Sequence, residues 1–262
     1  MTWSDRPGRR PALVLLALVF GASLAAAQVG ADTRRSGYQD MGPALQKMQD
    51  DDTANPAMLF VQLGEQLWSK PAGAAGKACA DCHSVADMKG VAVRYPAIAK
   101  GADRPLDLDG RISLCRTANQ QAEPFAPESR DLLSLTAFVA HQSRGLPIAP
   151  PDDPRLRPFR DHGAEIYRRR QGQLNLSCAI CHDDNAGKKL AGVTIPQAHP
   201  TGYPIYRLEW QALGSLKRRL RNCLVGIRAE PYGYGSLDYV ALEIFLADRA
   251  RGMLWEAPGV RP

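Results

Sequence analysis

Two pentapeptides in this 262-residue chain read Cys-x-x-Cys-His: Cys79-Ala80-Asp81-Cys82-His83 and Cys178-Ala179-Ile180-Cys181-His182. The spacing has a chemical reason. Two thiols at this separation can add across the two vinyl groups of one haem, and the adjacent histidine reaches the iron from the same side. A zinc ribbon also uses paired Cys-x-x-Cys groups, but it has no need of the histidines. A redox dithiol would use one motif beside a thioredoxin-like strand and helix, a pattern not found here. Covalent haem is therefore favoured at both motifs. Cys79, Cys82, Cys178 and Cys181 become the attachment points, and His83 and His182 the proximal iron ligands.

Export fits this reading. Arg6, Arg9 and Arg10 precede an apolar stretch from Ala12 to Leu24, and Ala25-Ala26-Ala27 offers the small residues that signal peptidase accepts. The run is too short for a membrane helix and is followed by polar Gln28 and the charged segment 32–35, so a signal sequence cleaved after Ala27 is expected. The protein is then periplasmic. A hydrophobic fraction of 45% argues against a disordered chain, and no later apolar run reaches the roughly 20 residues of a membrane span. The formal charge of +6 falls to +4 when residues 1–27, with three arginines and one aspartate, are removed. So small a surplus does not point to nucleic acid.

The two motifs sit in repeated surroundings. Gly64-Glu65-Gln66-Leu67-Trp68 stands before Cys79 as Gly163-Ala164-Glu165-Ile166-Tyr167 stands before Cys178, at an offset of 99. Further on, Ser129, Asp131, Leu135, Phe138, Ala140, Arg144 and Gly145 match Ser236, Asp238, Leu242, Phe245, Ala247, Arg251 and Gly252 at an offset of 107. The serines read as helix caps with an aspartate in the first turn, and Leu132, Leu135 and Val139 share a face as Tyr239, Leu242 and Leu246 do. Gly145 and Gly252 suit the helix stops. Five prolines between 147 and 158 separate the halves. The expected fold is all-α: two cytochrome c-like haem domains from an internal duplication, joined by a Pro-rich linker. The boundaries expected are a signal peptide at 1–27, an N-terminal extension at 28–56, a first haem domain at 57–145, the linker at 146–159 and a second haem domain at 160–262.

The ligand opposite each histidine decides the chemistry. Met88 is too close to His83 to cross the ring, and the repeat equivalent of Met253 is Leu146, so methionine fails as a shared ligand. His141 and His199 are unrelated by the repeat and read as ordinary polar residues. Cys115 and Cys223 do correspond, each with an arginine four residues earlier, Arg111 and Arg219, and each followed by Glu-Pro-aromatic. They could form one disulfide. Equivalent positions favour equivalent roles instead, one distal thiolate per haem.

These features together resemble the SoxA family, the catalytic dihaem subunits of SoxAX cytochromes in bacterial thiosulfate oxidation. The resemblance runs from about Gly37 to Gly252 and includes the segment from Met48 to Met58 and the element from Arg219 to Cys223. It implies two covalent haem c groups per chain and L-cysteine S-thiosulfotransferase activity, in which thiosulfate is conjugated oxidatively to a cysteine of the carrier protein SoxY. Two electrons then pass to an acceptor cytochrome c, and the monohaem SoxX subunit is the heterodimer partner. It makes Cys223 the catalytic residue, carrying a persulfide, and Arg219 the substrate-binding one. The local residues agree, since Lys217, Arg218, Arg219, Arg221 and Arg228 gather near Cys223 and thiosulfate is a small dianion. The rival reading is a non-catalytic dihaem electron carrier. A dihaem peroxidase would need an open position on one haem, which two cysteine ligands argue against.

Overall fold

A glycine in the middle of a helix is costly unless something needs the missing side chain, and here each half has one. The computed structural model describes residues 1–2 and 32–262; the signal-sequence reading of 1–27 lies outside these but for its first two residues. Contacts separate residues 1–33 from a second unit, residues 34–262, which carries everything below. Its elements begin with α1, Pro43–Asp50, and α2, Met58–Trp68. The first Cys-x-x-Cys-His follows as a 3-10 turn, Cys79–Asp81. Next come α3, Leu108–Asn119, and α4, Arg130–His141. In α2, a methyl group at Gly64 would overlap the Ser134 carbonyl of α4. Backbone therefore meets backbone.

The second half repeats that contact. Helix α5, Arg157–Arg168, precedes the second motif, which is itself the short helix α6, Cys178–His182. After two β-hairpins come α7, Leu216–Gly226, and α8, Leu237–Arg249. A methyl at Gly163 of α5 would overlap the Ala241 carbonyl of α8, the residue 107 beyond Ser134. Behind each glycine an aromatic closes the helix pair: Trp68 lies 5.6 Å from Phe138, and Tyr167 lies 5.1 Å from Phe245. The expected caps are present, Ser129 accepting from the Leu132 N–H and Ser236 from the Asp238 N–H. Gly145 and Gly252 adopt φ of +79° and +83° past the helix ends. Helix α4 is buried all round from Leu132 to Ala140, more than the single face read from the sequence.

The all-α expectation needs correction. The 189–214 region forms a hairpin, β1 (Lys189–Leu190) with β2 (Val193–Thr194), and a second antiparallel pair, β3 (Ile205–Arg207) with β4 (Ala212–Gly214). Strand β5, Gly259–Arg261, adds parallel to β3 and completes a three-stranded sheet in the order β4-β3-β5. Strands of two or three residues carry too little alternation to be read from sequence. The N-terminal extension holds this sheet. Gln49, buried in α1, accepts the Val260 N–H at 2.9 Å, while Asn55 donates to the Pro258 carbonyl.

The halves meet through matched segments. The Gly145 N–H donates to Trp255 O and the Ile148 N–H to Met253 O; the Gly252 N–H donates to Ile148 O and the Trp255 N–H to Leu146 O. Each bond maps onto another at the offset of 107. The proline-rich segment is packed down, with Ile148 buried and Pro147 bridged to Leu254. Helix α5 starts at Arg157, inside the span read as linker, with Pro158 in the first turn where its missing N–H does no harm.

The glycine contacts give the first prediction. Gly163→Ala should lower stability to chemical denaturation by about 3 kcal/mol, the upper part of the over-packing range. Gly226→Ala, where a methyl meets nothing within 4 Å, should not. Equal midpoints for the two variants would contradict the backbone contact.

Candidate cofactor cavities and the Cys223 site

Each half holds a cavity to which its Cys-x-x-Cys-His motif contributes. The first, about 370 Å³, is lined by Cys79, Cys82 and His83 and by Cys115 of α3, with Trp68, Ile112 and Val139 among its apolar walls. The second, about 500 Å³, brings His182 of α6 together with Cys223 and Arg219 of α7, walled by Leu216, Leu220 and Leu246. Cys178 and Cys181 stand close enough to Cys223 for its charge to act on both thiols. Burial, and after it Cys223, pushes the Cys178 thiol up to about 11. In the first half the Cys79 thiol is likewise raised by burial and then by Cys115.

These arrangements decide among the chemistries open to the motifs. All six cysteines are free thiols, and Cys115 and Cys223 line different cavities, so no disulfide joins them. No three His, Cys, Asp or Glu side chains among the described residues converge to hold a metal ion, as a zinc ribbon would require. The first cavity, an apolar cleft with two thiols, an imidazole and a further thiol in its lining, fits haem c, and the second fits it through His182 and Cys223 in its lining with Cys178 and Cys181 near Cys223. His182 is set for this use. Its Nδ1 lies 2.7 Å from the Pro196 carbonyl, which can only accept, so Nδ1 carries the proton and Nε2 is left for a metal. Burial holds its pKa below the usual imidazole value, with Arg219 acting in the same direction.

The basic residues around Cys223 separate by role. Arg219 lies one turn before Cys223 on α7 and lines the same cavity, and among the described residues no hydrogen bond or ion pair engages its guanidinium. Arg218 stacks on Trp210, 4.2 Å from the ring centre. Arg221 donates to the Tyr232 carbonyl and lies over Tyr234. Lys217 does not face the cavity: it is buried and paired with Asp107 of the first half. Burial works against its charge, yet the carboxylates of Asp107, Glu243 and Asp109 outweigh burial and hold the ammonium above its usual range. Arg228 is exposed in a turn at φ +57°. In the first half Arg111 lines the cavity with Cys115 and donates to the Lys100 carbonyl.

Some wall residues escaped the sequence reading. Tyr95 and Tyr203 each precede a proline and each line the cavity of their own half. The repeated Tyr-Pro pair was the available signal. Arg207 of β3 also lines the Cys223 cavity, beside Glu209 at 2.8 Å. His199 reaches the same cavity, and its Nδ1, facing the Arg35 carbonyl at 2.8 Å, donates to it. His141 lies outside both cavities, near Asp52.

Comparison with known proteins agrees with the site. The family model of the SoxA/TsdA cytochrome c domain matches residues 63–148 and 162–254, each stretch holding one Cys-x-x-Cys-His and one later cysteine. The L-cysteine S-thiosulfotransferase subunit SoxA of Pseudaminobacter salicylatoxidans is 36% identical over 88% of this chain and 82% of its own length. The chain belongs to the SoxA family. The SoxA subunit of Rhodovulum sulfidophilum is 34% identical over 88% of this chain and 81% of its own. The crystal structure of SoxXA from P. pantotrophus aligns with a TM-score of 0.84 at 31% identity, covering 87% of each chain. As a SoxA-family chain it contains cytochrome c domains, and no helix among its described residues is long and apolar enough to cross a membrane.

The sorting of the basic residues is testable. Lys217→Met strips a buried carboxylate of its partner and should cost about 3 kcal/mol of folding stability. Arg218→Met gives up a stacking contact and should cost at most about 1 kcal/mol. Denaturant midpoints read both, and an unaffected Lys217→Met protein would place that ammonium in solvent.

Proposed function

We propose that the chain is a dihaem cytochrome c subunit that conjugates thiosulfate oxidatively to a cysteine of the carrier protein SoxY and passes two electrons to an acceptor cytochrome c. The observation that carries this is the pairing of Arg219 and Cys223 on one turn of α7, in the cavity that His182 also lines. The names of relatives at 34–36% identity, L-cysteine S-thiosulfotransferase subunits, support the same activity.

Two haem c groups would be held, one by Cys79 and Cys82 with His83 and Cys115 towards its iron, the other by Cys178 and Cys181 with His182 and Cys223. When bound, haem c supplies a one-electron acceptor. The chain's residues do the rest. Arg219, with no partner among the described residues, can grip the sulfonate through two parallel hydrogen bonds. That leaves the outer sulfur of thiosulfate towards Cys223. The Cys223 thiolate forms a sulfur–sulfur bond to that outer sulfur as two electrons leave. The carrier thiolate then attacks the same outer sulfur and displaces Cys223 as thiolate, which restores the site. Where Cys223 carries a persulfide, its terminal sulfur takes the same part. Leu216, Leu220 and Leu246 keep the wall apolar, which strengthens the arginine–anion contact.

The recurrence of each helix contact and cavity at fixed sequence offsets supports a duplicated haem unit, with first and second haem domains at 57–145 and 160–262 and the proline-rich connection at 146–159. The solved SoxXA complex supports a monohaem SoxX partner. Residues 1–27 are read as a signal peptide that sends the protein to the periplasm.

Replacing Cys223 by serine should abolish thiosulfate conjugation, while intact mass still shows two covalent haems; retained turnover would sink the assignment. Arg219→Lys should reduce kcat/KM for thiosulfate at least tenfold, about 1.4 kcal/mol, because lysine cannot reproduce a forked contact. Arg218→Lys, which keeps a cation over Trp210, should change it less than twofold.

A further inference from the structure

Between the two haem cavities lies a third, about 90 Å³, that the proposed chemistry does not use. Asp107, Asp109 and Thr136 reach it from the first half, and Ser215 and Glu243 from the second. Tyr95 and Leu108 line both this cavity and the first haem cavity, while Tyr203 and Leu216 line both it and the Cys223 cavity. One layer of side chains separates it from each. It has room for water, which needs only about 10–15 Å³.

Its charges do not balance. Three carboxylates, Asp107, Asp109 and Glu243, face a single ammonium, that of Lys217, with Glu128 close behind and hydrogen-bonded to Ser215. Lys217 pairs with Asp107. Asp109 accepts the Thr136 hydroxyl at 2.6 Å. Glu243 is half-buried, lines the cavity, and among the described residues takes no hydrogen bond or ion pair. Carboxylates crowded around one cation in a partly closed cavity disfavour one another's ionised form, so a proton is held there more readily than on a carboxylate in water. Burial, and then the Asp107 charge, pushes Asp109 up to about 6 against the pull of Lys217 and Thr136. The same two causes raise Glu243 well above the usual carboxyl range, with Asp109 and Glu128 adding to them and Lys217 opposing.

We propose that Glu243 and Asp109 form a proton-binding site whose occupancy is coupled to the electrons on the haems at either side. The inference rests on the haem reading given above. One electron entering a haem adds one negative charge, and in so poorly screened a place this raises the affinity of the neighbouring carboxylate for a proton. One proton then enters from solvent. When the electron passes to the acceptor cytochrome the proton leaves, so charge balances with only the electron donor and acceptor of the conjugation itself. Uptake on reduction makes reduction harder as protons become scarce. The midpoint potential therefore falls as pH rises through the range in which the pair titrates.

Spectroelectrochemical titration of the holoprotein from about pH 5 to 8 tests this, with wild type, Glu243→Gln and Asp109→Asn compared and haem content read by pyridine haemochrome. The wild-type potential should fall with pH, Glu243→Gln should flatten the fall, and Asp109→Asn should move the pH range in which it occurs. A second readout does not depend on the variants' stability: the wild-type reduced-minus-oxidised infrared spectrum should show a protonated carboxyl band appearing on reduction. A flat wild-type profile overturns the proposal. So does a fall unchanged in both variants, which is what haem propionates alone would produce, or an infrared spectrum without the carboxyl band. Absence of covalent haem in the haemochrome assay would instead overturn the haem reading and this inference with it.

Discussion

Backbone contact between paired helices is the constraint from which the rest of this chain follows. At Gly64 and Gly163 one helix lies directly on the carbonyl ridge of another, on Ser134 in one half and Ala241 in the other. Such closeness brings Trp68 and Tyr167 down onto Phe138 and Phe245, and those rings end just where each cysteine motif begins. The Trp68 ring lies 6.3 Å from the His83 ring. A helix pair held further apart would leave the motif without a wall. Dispersion and burial thus fix where the sulfur and imidazole donors stand before any cofactor is attached.

The joint between the halves is built from equally specific contacts. Four backbone hydrogen bonds pair the segment after α4 with the segment after α8, each bond mirrored by another at the repeat offset. The indole of Trp255 adds a bond to the Ala140 carbonyl, and Lys217 reaches across to Asp107. Residues 34–262 consequently form one unit rather than two bodies on a tether. Rigidity of this kind keeps the two cavities at a constant spacing, as electron transfer between the two proposed haems would require.

What was legible in the sequence was local. Cysteine spacing, a serine two residues before an aspartate, and a glycine past a helix each express a rule that acts within one turn, and the structure has each in place. Arg219 and Cys223 were four apart in sequence and share a helix face for the same reason. Lys217 was not legible. It stands in a run of basic residues, and its burial is set by Asp107, which lies in the other half. The short strands were hidden because two or three residues carry too little alternation, and β5 is held besides by Gln49 and Asn55, far away in sequence. The prolines at 147–158 were read for what they forbid, while the structure uses them as packed wall and helix start.

The Cys223 cavity is closed by residues from opposite ends of the described chain: Gly37, Asp40 and Met41 on one side, Arg261 and Pro262 on the other. Contacts this distant in sequence carry the largest loop-closure entropy and form late when a chain folds. The first cavity, by contrast, draws its lining from residues 68–151 and can be complete while later residues are still being added. The wall around Cys223 thus depends on contacts between the most distant segments of residues 34–262, and a change at either of them would loosen that cavity while leaving the first one closed.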